Sequence, residues 1–525
     1  MSRRRVLAGG LAVLALLAGG CAAGASGRDS GTLTVAVAND PGNLHPLMTA
    51  ARATRYMARF SYDSLIYPRE NGTFAPGIAE GWRITPTAVT FTLKQGVTCS
   101  DGSGLTATDV ADNLRFILDP KNKSPQRGVF LPAAVSVESD AAAATVTVRS
   151  PSPNGFLING LANIFIVCRA GLDNPALLKQ KTIGTGPWVL QDAVPDDHYL
   201  FVPHQGYTWG PDGENPTGPG APKRVNVRVV ANQTTTANLM LAGEINLATV
   251  GGIDRTRLDG AKLPALQTVR PAGETFFNQT AGRPTADRAV REALATGLDI
   301  DKIAKIATSA TGRKSVGLAT TLPKVCPGDT VTGTLPDYDP AQAQRLLDAA
   351  GWRPGPDGVR VKDGQPLAVT FLYPAAEGDA VRAGAELVAK MWTEIGVLAT
   401  LRAVTSNQLI QTAFTTGDWD AAWLAISVTL PSQLVPFLSG AEPPAGNNFA
   451  HLRNADYPGL TGQAAALTGQ ESCDRWNDAE IALLKNVDVL PMFDQIDKSY
   501  LRDARARAGM GELWTSSLRF APEAG

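Results

Sequence analysis

From Thr32 onward two hydrophobic periods keep replacing one another, and that alternation is the strongest constraint on how this chain can fold. "TLTVAVAND" alternates as a strand and stops at the turn "DPGN". "LTATDVADNLRFILDP" has the helical period instead. Thr106 can cap it with Asp109 in the third position, and Val110, Leu114, Ile117 and Leu118 fall on one face. "TATVTVRS" and "KRVNVRVV" read as strands, the second followed by the helix "TTTANLMLAGE". "DRAVREALATGLD" places Val290, Ala293, Leu294 and Leu298 at helical spacing. In "YDPAQAQRLLDAAGW", Asp339 is the expected N-cap, Pro340 sits at the first helical position and Gly351 ends the helix. "LAVTFLYP", "AGAELVAKMWTEIG" and "VLATLRAV" then read strand, helix, strand. Such alternation implies α/β layers. A chain of 525 residues is too long for one hydrophobic core, so two or three lobes are expected. The Gly/Pro-rich stretch at 210–223 reads as a long surface loop.

Charge and motif content exclude several classes of function. Lys and Arg number 48 against 49 Asp and Glu, and beyond the N-terminal arginines there is no basic block. Nothing therefore steers the chain toward nucleic acid or an anionic membrane surface. The four histidines are His45, His198, His204 and His451. His198 and His204 flank "YLFVP" at a spacing that matches no usual zinc pair, and they read as surface or loop residues. "Gly-Thr-Gly-Pro" at 184–187 lacks the Gly-Lys-Ser/Thr ending of a phosphate-binding loop, and no G-x-S-x-G elbow occurs. The chain is not expected to be an enzyme, and no cofactor or metal is expected.

The N-terminus reads as an export signal over 1–20. Three arginines precede an apolar run from Val6 to Ala18, too short for a comfortable permanent span. "Ala-Gly-Gly-Cys" at 18–21 resembles a bacterial lipobox, with Ala18 where Leu is usual. That motif implies diacylation of Cys21, anchorage at the outer face of the cell membrane and a small, polar tether over 21–30. "SRRRVL" at 2–7 also resembles a twin-arginine signal, so the export route stays open. Export places Cys99, Cys168, Cys326 and Cys473 in an oxidising compartment. Four cysteines allow three pairings. Neighbouring pairing, Cys99–Cys168 and Cys326–Cys473, keeps each bond within one half of the chain and is the pairing expected; the alternative is four buried free thiols.

The order of motifs resembles the extracellular solute-binding proteins of ABC importers, the large peptide/nickel-type family (family 5). The likeness covers nearly all of 31–525. "YDSLIYPRENGTFAPGIAEGWRITPTAVTFTLKQGVTCSDGSGLTATDVADNL" is similar to the family signature, and "IGTGPWVL", "HQGYTWG", "LAGEINLA", "FFNQTAGRPTADRAVREALATGLDIDKI" and "YDPAQAQRLLDAAGW" follow in family order. The resemblance implies a two-lobed, type II periplasmic-binding-protein-like α/β fold that closes about a hinge. The expected divisions are lobe I over 31–73 and 182–273, with an extra subdomain at 74–181. Lobe II would cover 274–488, and lobe I would resume over 489–525. It also implies a monomer that takes a peptide or peptide-like solute in the interlobe cleft and hands it to ABC permease and ATPase subunits. By carry-over, Asn43 and Leu44 in "NDPGNLHPL" and Asn278 in "FFNQT" face that cleft, although each can equally be a turn or cap residue. Tyr207 and Trp209 are expected to be packing residues.

The run from Ala421 to Ala441, between Asp420 and Glu442, carries no formal charge. Pro431 and Pro436 and the interspersed hydroxyls argue against a membrane span. "AAWLAI" reads as a buried strand, and "SVTLPSQLVPFL" as a loop lining the cleft, with Trp423, Ser427 and Thr429 as ligand contacts. In peptide-binding members of the family this region carries an acid that pairs with the ligand's α-ammonium; here Thr429 stands near that position. Burying an ammonium without a counter-charge is costly. Unmodified short peptides are thus expected to bind weakly, unless Asp418 or Asp420 substitutes. A neutral or polar solute, such as an oligosaccharide, an N-blocked peptide or a metal chelate, is the alternative.

Overall fold

The computed structural model describes residues 31–49, 52–252, 254–319, 325–374, 377–426, 428 and 430–522. An eleven-stranded sheet runs through both lobes. In lobe I, strand Thr32–Val37 pairs in parallel with Arg224–Val229 and with Leu247–Thr249. Strands His198–Pro203 and Trp188–Val194 continue the sheet antiparallel. In lobe II, Ala368–Pro374 lies between Leu398–Val404 and Ala421–Trp423, parallel to both. Parallel strands are usually covered on both faces and read as apolar runs. Here neighbouring residues divide between two cores: Phe371, Ala421 and Trp423 enter one, Leu372 and Ala422 the other.

Two long strands join the lobes. Ala265–Phe277 and Val489–Leu501 pair antiparallel from Ala265 opposite Tyr500 to Phe276 opposite Val489. The first hands over to lobe II through Thr275–Phe277 against Ala421–Trp423, and the second to lobe I through Ser499–Leu501 against Leu247–Thr249. The register shifts on either side of Gly273. A Cβ there would lie 2.4 Å from the Phe493 ring, so only glycine lets the strands pass at this irregularity.

A second sheet, of strands Ala79–Thr85, Ala88–Leu93, Thr145–Arg149 and Ser136–Asp140, forms a separate body inserted in lobe I. Helix Ala107–Leu118 covers it, with Val110, Leu114 and Ile117 packed on Val89, Phe91 and Val146. Its start is the expected capping box, Thr106 and Asp109 bonding reciprocally. Asp339 caps Pro340–Ala349 as the sequence indicates, and Gly351 takes the positive φ that terminates it. Both disulfides form with the neighbouring pairing: Cys99–Cys168 within the inserted body, Cys326–Cys473 within lobe II.

The stretch 210–223 is the expected surface loop, and ion pairs fasten it: Asp212 pairs with Arg69 at 2.5 Å and Arg507 at 2.8 Å, and Glu214 with Arg519 at 3.1 Å. His198 is a partly exposed strand-end residue between Asp192 and Asp197, but His204 is buried, with Nδ1 2.9 Å from the Gly186 carbonyl. Beside it, Tyr207 and Trp209 donate to the buried Asp63 carboxylate at 3.0 and 2.8 Å, so both are packing residues. Among the described residues no helix is long and apolar enough to cross a membrane. The export signal, Cys21 and the tether lie outside the described residues.

Candidate functional site

A cavity of about 1590 Å³ lies between the lobes. One wall comes from the end of the first strand and from helix Arg52–Ser61, which presents Arg55, Tyr56 and Arg59. The inserted body adds segments around Phe130 and Phe156. The joining strands supply residues 265–270, and lobe II supplies Val428, Leu430, Ser432, Gln433, Pro436 and Phe437. The uncharged run thus begins as a strand buried on both faces and continues along the cavity.

Most charges on the wall are matched. Arg270 meets Asp497 at 3.2 Å. Asp254 accepts from Thr234 at 2.7 Å and pairs with Arg257 at 2.9 Å, and these two partners hold its carboxyl below the usual range. Arg59 pairs with Glu512, the first residue of strand Glu512–Phe520. Glu70 is exposed to water. Arg55 differs from all of these. It is only 8% exposed and donates through Nη2 to the Asn163 carbonyl at 2.8 Å. Its guanidinium carbon sits 4.5 Å from the Phe130 ring centroid and 5.1 Å from that of Phe165. Burial, helped by the neighbouring Arg59 charge, pushes it down to about 10, so it stays protonated at neutral pH.

The lobes also touch directly beside the cavity. Gln433 Nε2 of lobe II donates to the Val129 carbonyl of the inserted body at 3.2 Å. Phe156 packs with Leu430, Ala464, Cys473 and Trp476, its ring centroid 5.8 Å from that of Trp476. At Gly155 a Cβ would meet the Leu467 carbonyl oxygen at 2.5 Å, so the backbones approach as closely as glycine allows.

The residues carried over by resemblance stand elsewhere. Asn43 shapes the turn after the first strand, its Oδ1 accepting from the His45 amide at 2.9 Å. Leu44 is buried in the lobe I core with Met57 and Phe60. Asn278 has no exposed surface: its Nδ2 donates to the Trp419 carbonyl at 2.9 Å and its Oδ1 accepts from Thr280 Oγ1 at 2.7 Å, which consumes the amide in ordering a turn. Trp423 points into the lobe II core, donating to the Ala272 carbonyl at 2.8 Å. None of these four is on the cavity wall. Ser427 and Thr429 lie outside the described residues. Asp420 is held by Arg283 at 2.9 Å and by the Thr370 amide at 2.8 Å, and Asp418 by Arg402 at 3.0 Å, so neither acid serves the cavity. Sequence reasoning missed Arg55, Arg59 and Phe156. The four-residue spacing of the two arginines, which puts both on one helix face, is the signal that could have found them.

The sequence profile of the family described as "Bacterial extracellular solute-binding proteins, family 5 Middle" matches residues 73–445. The chain belongs to that family of extracellular solute-binding proteins. Protein XP55 of Streptomyces lividans is 30% identical over 371 residues, 67% of this chain and 62% of that protein. The nickel-binding periplasmic protein of Escherichia coli is 29% identical over 332 residues, 59% of this chain and 60% of that protein. These matches therefore span about three fifths of either relative's length. The periplasmic murein peptide-binding protein MppA of Escherichia coli is 24% identical over 495 residues, 87% of this chain and 86% of that protein. In three dimensions the family 5 fold is common to MppA in its unliganded open form (TM-score 0.72, 22% identity, 93% of this chain and 97% of that one). It is equally that of NikA from Brucella suis (TM-score 0.76, 20% identity, 93% and 100%). The Escherichia coli relatives are binding proteins, and the two-lobed architecture is that of the family.

Proposed function

We propose that this protein is the substrate-binding component of an ABC importer, anchored to the membrane through lipidated Cys21. It captures a peptide-like solute between lobe I (31–273 and 489–525, with the insert at 74–181) and lobe II (274–488), and delivers it to the permease and ATPase subunits. The observation that carries this reading is the cavity of about 1590 Å³ walled by both lobes and by the strands joining them. It exceeds the roughly 300–1,000 Å³ of common small-molecule clefts. A family that includes a murein peptide binder and oligopeptide binders fits that size. Closure delivers the signal to the transporter, because the solute contributes only its differential affinity for the closed form.

A narrower reading of the solute follows from the wall. Asp254, Asp497 and Glu512 are each paired with an arginine, and lobe II presents no acid between Ala421 and Ala441. A buried α-ammonium would lack a counter-charge there, which favours a solute whose amine is blocked or absent. Thermal-shift screening tests this with peptides, the same peptides N-acetylated, oligosaccharides and metal chelates. A ligand at about 100 times its Kd stabilises by about 2.7 kcal/mol. Blocked or non-peptide members are expected to raise Tm and free-amine peptides to leave it unchanged; strong stabilisation by free-amine peptides would refute the reading. For the anchor, the C21S variant is expected to leave the detergent phase and appear in the soluble exported fraction.

A further inference from the structure

Arg55 is a buried cation on the cavity wall whose hydrogen bonds among the described residues go to Asn163 alone. Its Nη1 is buried and has no partner among the described residues. The rings of Phe130 and Phe165 flank the guanidinium, which fixes the plane of its donor fork. One helical turn on, Arg59 faces the same space; among the described residues its buried Nε has no partner and its single carboxylate partner is Glu512. Two guanidinium groups thus share one carboxylate, leaving one positive charge with no paired counter-charge among the described residues. A buried charge in that state is costly unless something supplies the opposite one.

We infer that Arg55, with Arg59 beside it, anchors a single carboxylate of the bound solute. This rests on the interlobe cavity being the solute site. The one unmatched guanidinium of this pair takes a monoanion, Glu70 lying on the wall but exposed to water, and the planar fork matches the two oxygens of a carboxylate. Across the cavity, Val428, Leu430, Ser432, Gln433, Pro436 and Phe437 offer no charge, so the body of the solute is neutral. An N-blocked peptide with a free C-terminus, an acid-ended sugar and a polycarboxylate chelate all present that chemistry. The anchor also adjoins the closure contact. Phe130 lies against Arg55, and the preceding residue, Val129, gives its carbonyl to Gln433 of lobe II. A carboxylate held at Arg55 therefore sits beside the segment that lobe II grips when the cleft shuts.

The test uses the full chain and matched probes. These are N-acetylated tri-, tetra- and penta-alanine, each as free acid and as C-terminal amide, a glucuronate-ended disaccharide with its glucose-ended counterpart, and ferric EDTA. Affinities are measured by titration calorimetry for the wild type, R55Q and R55K, with circular dichroism as the folding control. A charge-assisted hydrogen bond of this kind is worth about 10- to 100-fold in affinity. In at least one frame, the acid is expected to bind that much more tightly than its neutral counterpart. R55Q should erase the preference of acid over neutral form, and R55K should keep part of it; which frame binds identifies the source of the carboxylate. Equal binding of acid and neutral forms overturns the inference, as does a preference that survives R55Q. If R55Q does not fold, the wild-type comparison of acid with amide decides alone. Binding of neutral members only removes the carboxylate anchor and leaves the solute-binding reading standing, whereas no binding in any frame removes both.

Discussion

Truncating Phe156 perturbs closure more directly than any change inside the cavity. Its ring belongs to the body inserted in lobe I, yet it is buried among Leu430, Ala464, Cys473 and Trp476 of lobe II. When the lobes part, that ring returns to water, so Phe156→Ala removes burial that only the closed form has. Burying a Phe side chain is worth about 1.5–3 kcal/mol, and the aromatic pair adds about 0.5–1.5 kcal/mol. Allowing for incomplete re-exposure, the closed form loses about 2–4 kcal/mol against the open one. At about 1.4 kcal/mol per factor of ten, the closed-to-open ratio falls roughly 30- to 1,000-fold. Solute affinity includes the closure step, so Kd rises by up to the same factor. Small-angle scattering reads the shape of the solute-free protein, and calorimetry reads Kd for the tightest solute found by screening. The expected result is a larger radius of gyration and a Kd at least about tenfold weaker, with Tm little changed. A Kd within about twofold of wild type, together with a clearly lower Tm, would mean that Phe156 is static packing and that closure does not depend on it.

Other outcomes follow from the same structure. Gly155→Val places side-chain atoms where the Leu467 carbonyl oxygen would be 2.5 Å from a Cβ, so scattering should show a protein held open and solute binding lost. Replacing Cys326 and Cys473 by Ala opens a cross-link between residues 147 apart and should lower unfolding free energy by about 2–5 kcal/mol in urea melts. Burial pushes His45 down to about 4, while the unfolded chain keeps a value near 6.5. The unfolded state therefore binds the extra proton between those values. The contribution of His45, of the order of 3 kcal/mol, is full above about pH 6.5 and lost as pH falls toward 4. H45Q should flatten the acid limb of stability against pH, and an unchanged slope would contradict this.

How far the sequence carried depends on the range of the interaction. Capping at Thr106 and Asp339 was legible because the partners lie within one turn. The uncharged run was legible only in its first part: Ala421–Trp423 is the buried strand, but the stretch read as a loop forms a 3-10 turn at Pro431–Leu434 and a short helix at Val435–Leu438, because a proline is tolerated in a first helical turn. Chain order favoured the neighbouring disulfides but left the other pairings and free thiols open, and the structure forms the neighbouring pair. By contrast, Arg55 becomes notable only through Asn163, Phe130 and Phe165, and Phe156 only through Trp476, contacts between residues far apart in the sequence. Position along a family motif did not reveal which way a side chain faces. Leu44 and Trp423 turn their side chains into the cores, and Asn278 spends its amide on a turn. A strand buried on both faces offers neither to a ligand.

Hydrogen–deuterium exchange with and without bound solute tests the central claim, that solute is held between the lobes and closes them. Protection should rise together in helix Arg52–Ser61, in the segment around Phe130, in residues 265–270 of the joining strand and in the lobe II segment from Val428 to Phe437. Protection confined to one lobe, or appearing away from all four segments, would contradict it.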